Sequence, residues 1–164
     1  MKILGIDPGL QKTGWGLIES SGNSLHYVAS GLIRSKPKEA MSERLATLYY
    51  GLVAVIEEYV PEEAAIEETF VNKNPASALK LGQARGVLLM IPAIKGISVA
   101  EYSANKIKKS IVGSGHAAKQ QMGMMVKTLL PTCGTLSEDE ADALAVAITH
   151  AHYRSLNTIL SNVE

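Results

Sequence analysis

The sequence predicts a mixed α/β fold, a five-stranded sheet with helices on both faces. Three observations carry this. Short apolar runs separated by turn residues fill residues 1–34. An amphipathic helical pattern then leads into another short apolar run, as in a crossover to a parallel strand. That helix–strand alternation repeats once before the chain becomes helical to its end.

Ile3, Leu4 and Ile6 form the first strand, stopped by Pro8-Gly9. Thr13–Ser20 is the second and Leu25–Arg34 the third, joined by the turn Ser21-Gly22-Asn23, which makes an antiparallel meander. Gly14 and Gly16 flank Trp15, so the backbone there can pass close to another element. Leu45, Leu48, Tyr49, Leu52, Val55, Ile56 and Tyr59 fall at helical spacing and predict a helix over 39–59, ended by Pro61. Ala64–Glu68 is the fourth strand, Ala76–Ile91 a helix, and Ile97–Tyr102 the fifth strand. Ala104–Val112 and Ala117–Leu130 are helices separated by Gly113-Ser-Gly115. Ser137, with Glu140 three residues on, caps a last helix that runs to about Arg154. Residues 1–155 are expected as one domain and 156–164 as a loose tail.

At 164 residues with 46% hydrophobic and 20% charged content, the chain can bury a full core. The apolar run Gly86–Ile94 is too short to span a bilayer and contains Pro92, so no membrane association is expected. Met1-Lys2 leads directly into a strand, from which no signal peptide is expected. The single cysteine, Cys133, suits a reducing cytosol and lacks an adjacent base. Net charge is zero, yet residues 72–119 hold eight basic residues against Glu101 alone, leaving the remainder acidic by seven. A polyanion-binding surface and a solvated helix face both fit that distribution.

Asp7 ends a strand of apolar character, where a carboxylate is costly unless paired or metal-bound. An Asp-Pro-Gly turn would also explain it. Glu67 sits late in the fourth strand, beside the first if the crossover is right. Asp139 and Asp142 share one face of the last helix, spaced i, i+3. Capping and the helix dipole account for Glu138 and Glu140, but less well for Asp142. Carboxylates from three regions can thus meet at one point, where divalent cations would relieve their repulsion. An all-carboxylate set favours Mg²⁺ or Mn²⁺ over zinc, and two such ions suit phosphodiester hydrolysis. The four histidines form no site by spacing.

Several stretches together resemble the RuvC family of Holliday-junction resolvases, within the RNase H-like fold. They are Gly5-Ile-Asp-Pro-Gly9 with Thr13-Gly-Trp-Gly16; Ala65-Ile-Glu-Glu-Thr-Phe70; Asn74 and Ala78-Leu-Lys-Leu-Gly-Gln-Ala-Arg-Gly86; and Asp139-Glu-Ala-Asp-Ala-Leu-Ala145 with Ile148-Thr-His150. The resemblance spans nearly the whole chain in order. It implies Asp7, Glu67, Asp139 and Asp142 as the acidic metal-binding set, Phe70 as an aromatic wedge at the junction centre, and Lys108 and Lys119 beside the scissile phosphate. Lys73, Lys80 and Arg85 are further candidate DNA contacts from the basic middle. It also implies a Mg²⁺-dependent nuclease acting on four-way DNA junctions in recombination and repair, a homodimer, a branch-migration motor partner and a bacterial, nucleoid-associated cytoplasmic location. The second helix, through Leu79, Leu81, Gly82, Gly86 and Leu89, is the candidate dimer face. Alternatives are an RNase H-like nuclease acting on RNA–DNA hybrid and a non-catalytic junction-binding protein. An actin-like kinase or ATPase would need a second half that 164 residues cannot hold.

Overall fold

The computed structural model describes residues 1–68, 74–113, 115 and 118–161, with the backbone alone for Lys119 and 156–161. The strands are β1 (Lys2–Asp7), β2 (Lys12–Ser21), β3 (Ser24–Arg34), β4 (Glu63–Glu67) and β5 (Ser98–Tyr102). The helices are α1 (Met41–Tyr59), α2 (Pro75–Ile94), α3 (Ala104–Val112), α4 (Lys119–Leu129) and α5 (Glu138–Ser161). They form one five-stranded sheet in the order β3-β2-β1-β4-β5. The meander is antiparallel, whereas β4 joins β1 and β5 joins β4 in parallel.

Strand alternation divides the core in two. Leu4, Ile6, Leu17 and Ile66 face α1 and α2. Ile3, Ile18 and Ala65 face α3, α4 and α5. Asp7 follows Ile3 and Gly5 in that alternation, so it belongs to the α5 side. Glu67 follows Glu63 and Ala65 and does the same, because Gly5 pairs with Ala65 and Ile6 with Ile66.

Two helices run farther than their patterns suggest. α2 continues through Pro92 to Ile94. Pro92 lies in the last turn, and its own carbonyl accepts from Ile97 N–H at 2.9 Å. The helix ends at Lys95, whose N–H donates to the Ile91 carbonyl at 3.2 Å. The last helix, expected to stop near Arg154, is helical to Ser161. No Gly or Pro interrupts 155–161, so nothing local breaks it.

Candidate active site

The last helix lies on a strip of sheet that has no side chains. Gly14 and Gly16 of β2 share one face, Gly5 of β1 is opposite Gly16, and Asp7 is opposite Gly14. A Cβ on Gly5 would lie 2.0 Å from the Ala143 carbonyl oxygen. One on Gly14 would lie 2.1 Å from the Asp139 carbonyl oxygen, and one on Gly16 would lie 2.6 Å from Leu144 Cγ. Real Cβ atoms never approach so closely. The glycines therefore let the α5 backbone sit directly on the sheet, and they bring Asp139 beside the strand pair that carries Asp7.

The order of these contacts runs α5 antiparallel to β1 and β4, so its N-terminus meets the carboxyl ends of both strands. Near its other end, His150 Nε2 contacts Glu63 Oε2 at 2.8 Å and Arg154 Nε donates to Glu63 Oε1 at 2.9 Å. Tyr102 Oη contacts His150 Nδ1 at 2.9 Å. Asp142 precedes His150 by about two helical turns, or about 12 Å. Glu67 follows Glu63 by about 13 Å of strand. The two rises match, so the His150–Glu63 contact puts Asp142 about level with Glu67 along the sheet.

Glu140 has another role. Ser137 donates to its Oε2 from the backbone N–H at 2.9 Å and from Oγ at 2.6 Å, and Ser30 Oγ donates to its Oε1 at 2.9 Å. Burial opposes ionisation of this carboxyl, but the bonds from Ser137 and Ser30 outweigh it and hold the group below the usual carboxylate range. Glu140 caps α5 and ties it to β3. The capping box was readable from spacing; the bond to Ser30 was not, because it joins residues remote in sequence.

Asp7, Glu67, Asp139 and Asp142 are all half-buried at one end of one sheet face. Their backbones bring them there. Among the described residues, no three Asp, Glu, His or Cys side chains close into a ready-made ion-binding cluster. The donor chemistry is nevertheless oxygen-only and anionic, which fits a hard divalent cation.

The basic candidates separate. Arg85 serves the strand end: its Nε donates to the Glu67 carbonyl at 3.1 Å, and its Nη2 pairs with Glu101. Its side chain is 17% exposed, which turns it away from an open DNA face and toward holding Glu67. Lys80 is exposed on α2, and Lys108 is half-buried on α3, which starts just past the end of β5 beside Glu67. Lys119 is the first residue of α4. Phe70 and Lys73 lie outside the described residues. On α2, Leu89 is partly buried against the core, while Leu79 (67% exposed), Met90 (47%) and Ile94 (64%) are exposed, as are Gly82 and Gly86.

Acids from two parallel strand ends and from the terminal helix thus lie at one end of this five-stranded mixed sheet. A family model described as crossover junction endodeoxyribonuclease RuvC matches residues 3–150. The chain is 60% identical to the crossover junction endodeoxyribonuclease RuvC of Paramagnetospirillum magneticum, over 94% of this chain and 93% of that one. It is 56% identical to the Rhodospirillum rubrum protein of the same name, over 94% and 92%. The solved structure of T. thermophilus RuvC in complex with Holliday junction substrate superposes with a TM-score of 0.89 at 31% identity, covering 96% of this chain and 97% of that one. The chain belongs to the RuvC family.

Proposed function

We propose that this chain is a structure-selective endonuclease that resolves four-way DNA junctions by paired hydrolytic cuts. One observation carries the reading. Three separate chain regions deliver Asp7, Glu67 and the Asp139–Asp142 pair to one end of one sheet face, in a chain of the RuvC family.

Asp7, Glu67, Asp139 and Asp142 would hold the metal, Mg²⁺ with Mn²⁺ as substitute and two ions per subunit; bound there, it supplies charge neutralisation and activation of water for in-line displacement. The protein does the rest. Its glycine strip and the His150–Glu63 contact fix the spacing of the acids. Lys119 and Lys108 present cations to the scissile phosphate, where charge develops in the transition state. Phe70 stacks on an unpaired base at the crossover, a contact worth about 1–3 kcal/mol.

The exposed stripe of α2 suits a second copy of the chain. Gly82 and Gly86 have nothing within 4 Å of a Cβ position, so another backbone can approach them closely. A junction with two-fold symmetry needs two sites related by an axis. A homodimer supplies them, and a branch-migration motor would deliver the junction.

The test is incubation with a four-way junction, a duplex and an RNA–DNA hybrid, each with Mg²⁺, Mn²⁺ or EDTA. Symmetric cuts in the junction alone, lost in EDTA, are expected. Preferential cutting of the hybrid, or junction binding without any metal-dependent cut, would overturn the reading.

A further inference from the structure

Among the described residues, the basic DNA-contact candidates considered above, Lys80, Arg85, Lys108 and Lys119, are carried by α2, α3 and α4, which all follow β4 in the chain. A second group is carried by β2, β3 and the segment after them. Lys12 opens β2 and Arg34 closes β3, and the two are directly paired across the antiparallel ladder. Like charges placed opposite each other weaken a sheet. Both side chains are exposed, and among the described residues no carboxylate pairs with either of them or with Lys38. Lys36 has only an exposed contact with Glu39 at 3.6 Å.

The backbone clasps this arrangement. Ser35 N–H donates to the Gln11 carbonyl at 3.1 Å, and Ser35 Oγ to the Leu10 carbonyl at 2.5 Å. Arg44 Nε donates to Ser35 Oγ at 2.9 Å. Ser35 is buried, so the residues flanking Lys12 and Arg34 are fixed and the two cations cannot drift apart with the chain.

Register places the pair relative to Asp7. Lys12 and Gly14 share a face, and Gly14 is opposite Asp7. Lys12 is thus on the same sheet face as Asp7, about 7 Å farther along β2 and one strand, about 5 Å, across. At about 3.4 Å of helix axis per phosphate on each strand, that is the reach of about two to three nucleotides.

We propose that Lys12 and Arg34, extended by Lys36 and Lys38, form a second phosphate-binding track for the DNA backbone where it leaves the acidic centre on the β2–β3 side. The proposal rests on the junction-nuclease reading. The unpaired, opposed cations are a cost to the sheet that a polyanion relieves, and their distance from Asp7 suits the strand being cut.

The experiment measures junction affinity in EDTA, where no strand is cut, for the wild type, Lys12→Gln/Arg34→Gln, Lys38→Gln and Lys95→Gln. Lys95 pairs with Glu57 at the far end of the sheet and serves as the control. Between about 50 and 200 mM salt, the slope of log affinity against log salt should fall in magnitude by about 1.8 for the double variant and about 0.9 for Lys38→Gln. Lys95→Gln should leave it unchanged. The double variant should also melt at or above the wild-type temperature, because it removes a like-charge pair. Wild-type slopes for the double variant and Lys38→Gln would overturn the track, as would an equal fall for Lys95→Gln. A wild type that does not prefer the junction to duplex would instead overturn the function itself. Should the double variant fail to fold, Lys38→Gln, which lies outside the sheet, decides alone.

Discussion

Asp142 and Glu140 stand within one turn of α5 and carry the same charge, yet their surroundings assign them different roles. Glu140 is engaged by Ser137 and Ser30, whereas Asp142 stands about as far along α5 from His150 as Glu67 stands along β4 from Glu63, the partner of His150. Asp142→Asn should therefore slow junction cleavage by about two orders of magnitude or more, the scale on which loss of one electrostatic group slows group transfer. Its melting temperature should change little. Glu140→Gln should do the reverse, costing about 1 kcal/mol of stability, as a lost cap does, with cleavage nearly intact. Single-turnover rates and thermal melts of the two variants check this; equal rate losses would refute it. A second residue-scale pair separates binding from chemistry. Phe70→Ala should impair cutting of an intact junction more than of one whose centre is already unpaired, and Lys119→Ala should impair both alike. The measurement is cleavage of both substrates at fixed salt, and equal losses for Phe70→Ala on the two would exclude a wedge.

Among elements, the decisive relation is that of α5 to the sheet. Gly14→Ala would set a Cβ 2.1 Å from the Asp139 carbonyl oxygen, so the helix end must lift. Overpacking of this kind costs about 1–3 kcal/mol. Cleavage should fall by more than that instability explains, even well below the melting temperature, because Asp139 moves with the helix. Gly22→Ala, at a turn with nothing nearby but with φ of +57°, should lower the melting temperature slightly and leave the cleavage rate unchanged. The His150–Glu63 contact acts from the other end. His150→Leu keeps bulk but loses both polar contacts, and should raise the metal concentration needed for half-maximal cleavage. His150→Gln, which retains a donor, should partly restore it, an outcome that simple core loosening would not give. Some of this was legible in advance. Apolar runs and a crossover placed Asp7 and Glu67 at adjacent strand ends, and Ser137 with Glu140 announced the start of α5. The glycines on either side of Trp15 signalled a close approach. Sequence could not say what approached, nor that Arg85 holds the Glu67 carbonyl, nor that Lys12 stands opposite Arg34. Those are contacts between distant segments, and they depend on register that no local pattern encodes.

Over the whole molecule, two titrating groups push stability in the same direction. His152 is half-buried against Ser110, and burial holds its imidazole below the ordinary value of 6.5. The unfolded chain then takes up that proton first, so stability falls as pH drops through 6.5. Glu140 is held below its ordinary 4.5, so its contribution is present above that value and is lost as pH falls farther through the native value. Thermal melts from pH 8 to pH 3, pH values chosen about these ordinary pKa values, should show two successive declines. His152→Gln should flatten the first and leave the second. A wild-type melting temperature independent of pH through this range would contradict both assignments.

The docking of α5 on the glycine strip has a consequence for synthesis. Asp7 leaves the ribosome well before Asp139 and Asp142. The helix that carries them also covers Ile3, Ile18 and Ala65. A nascent or truncated chain ending before Ser137 therefore lacks both helix acids and leaves the glycine strip and its flanking apolar residues without the helix that packs on them. Domains fold largely as units, and sheet order here cannot be completed on one side until that helix arrives. With those acids as the proposed metal ligands, cleavage competence and the closed core would arrive together, and a chain lacking this helix should neither cut DNA nor complete its core.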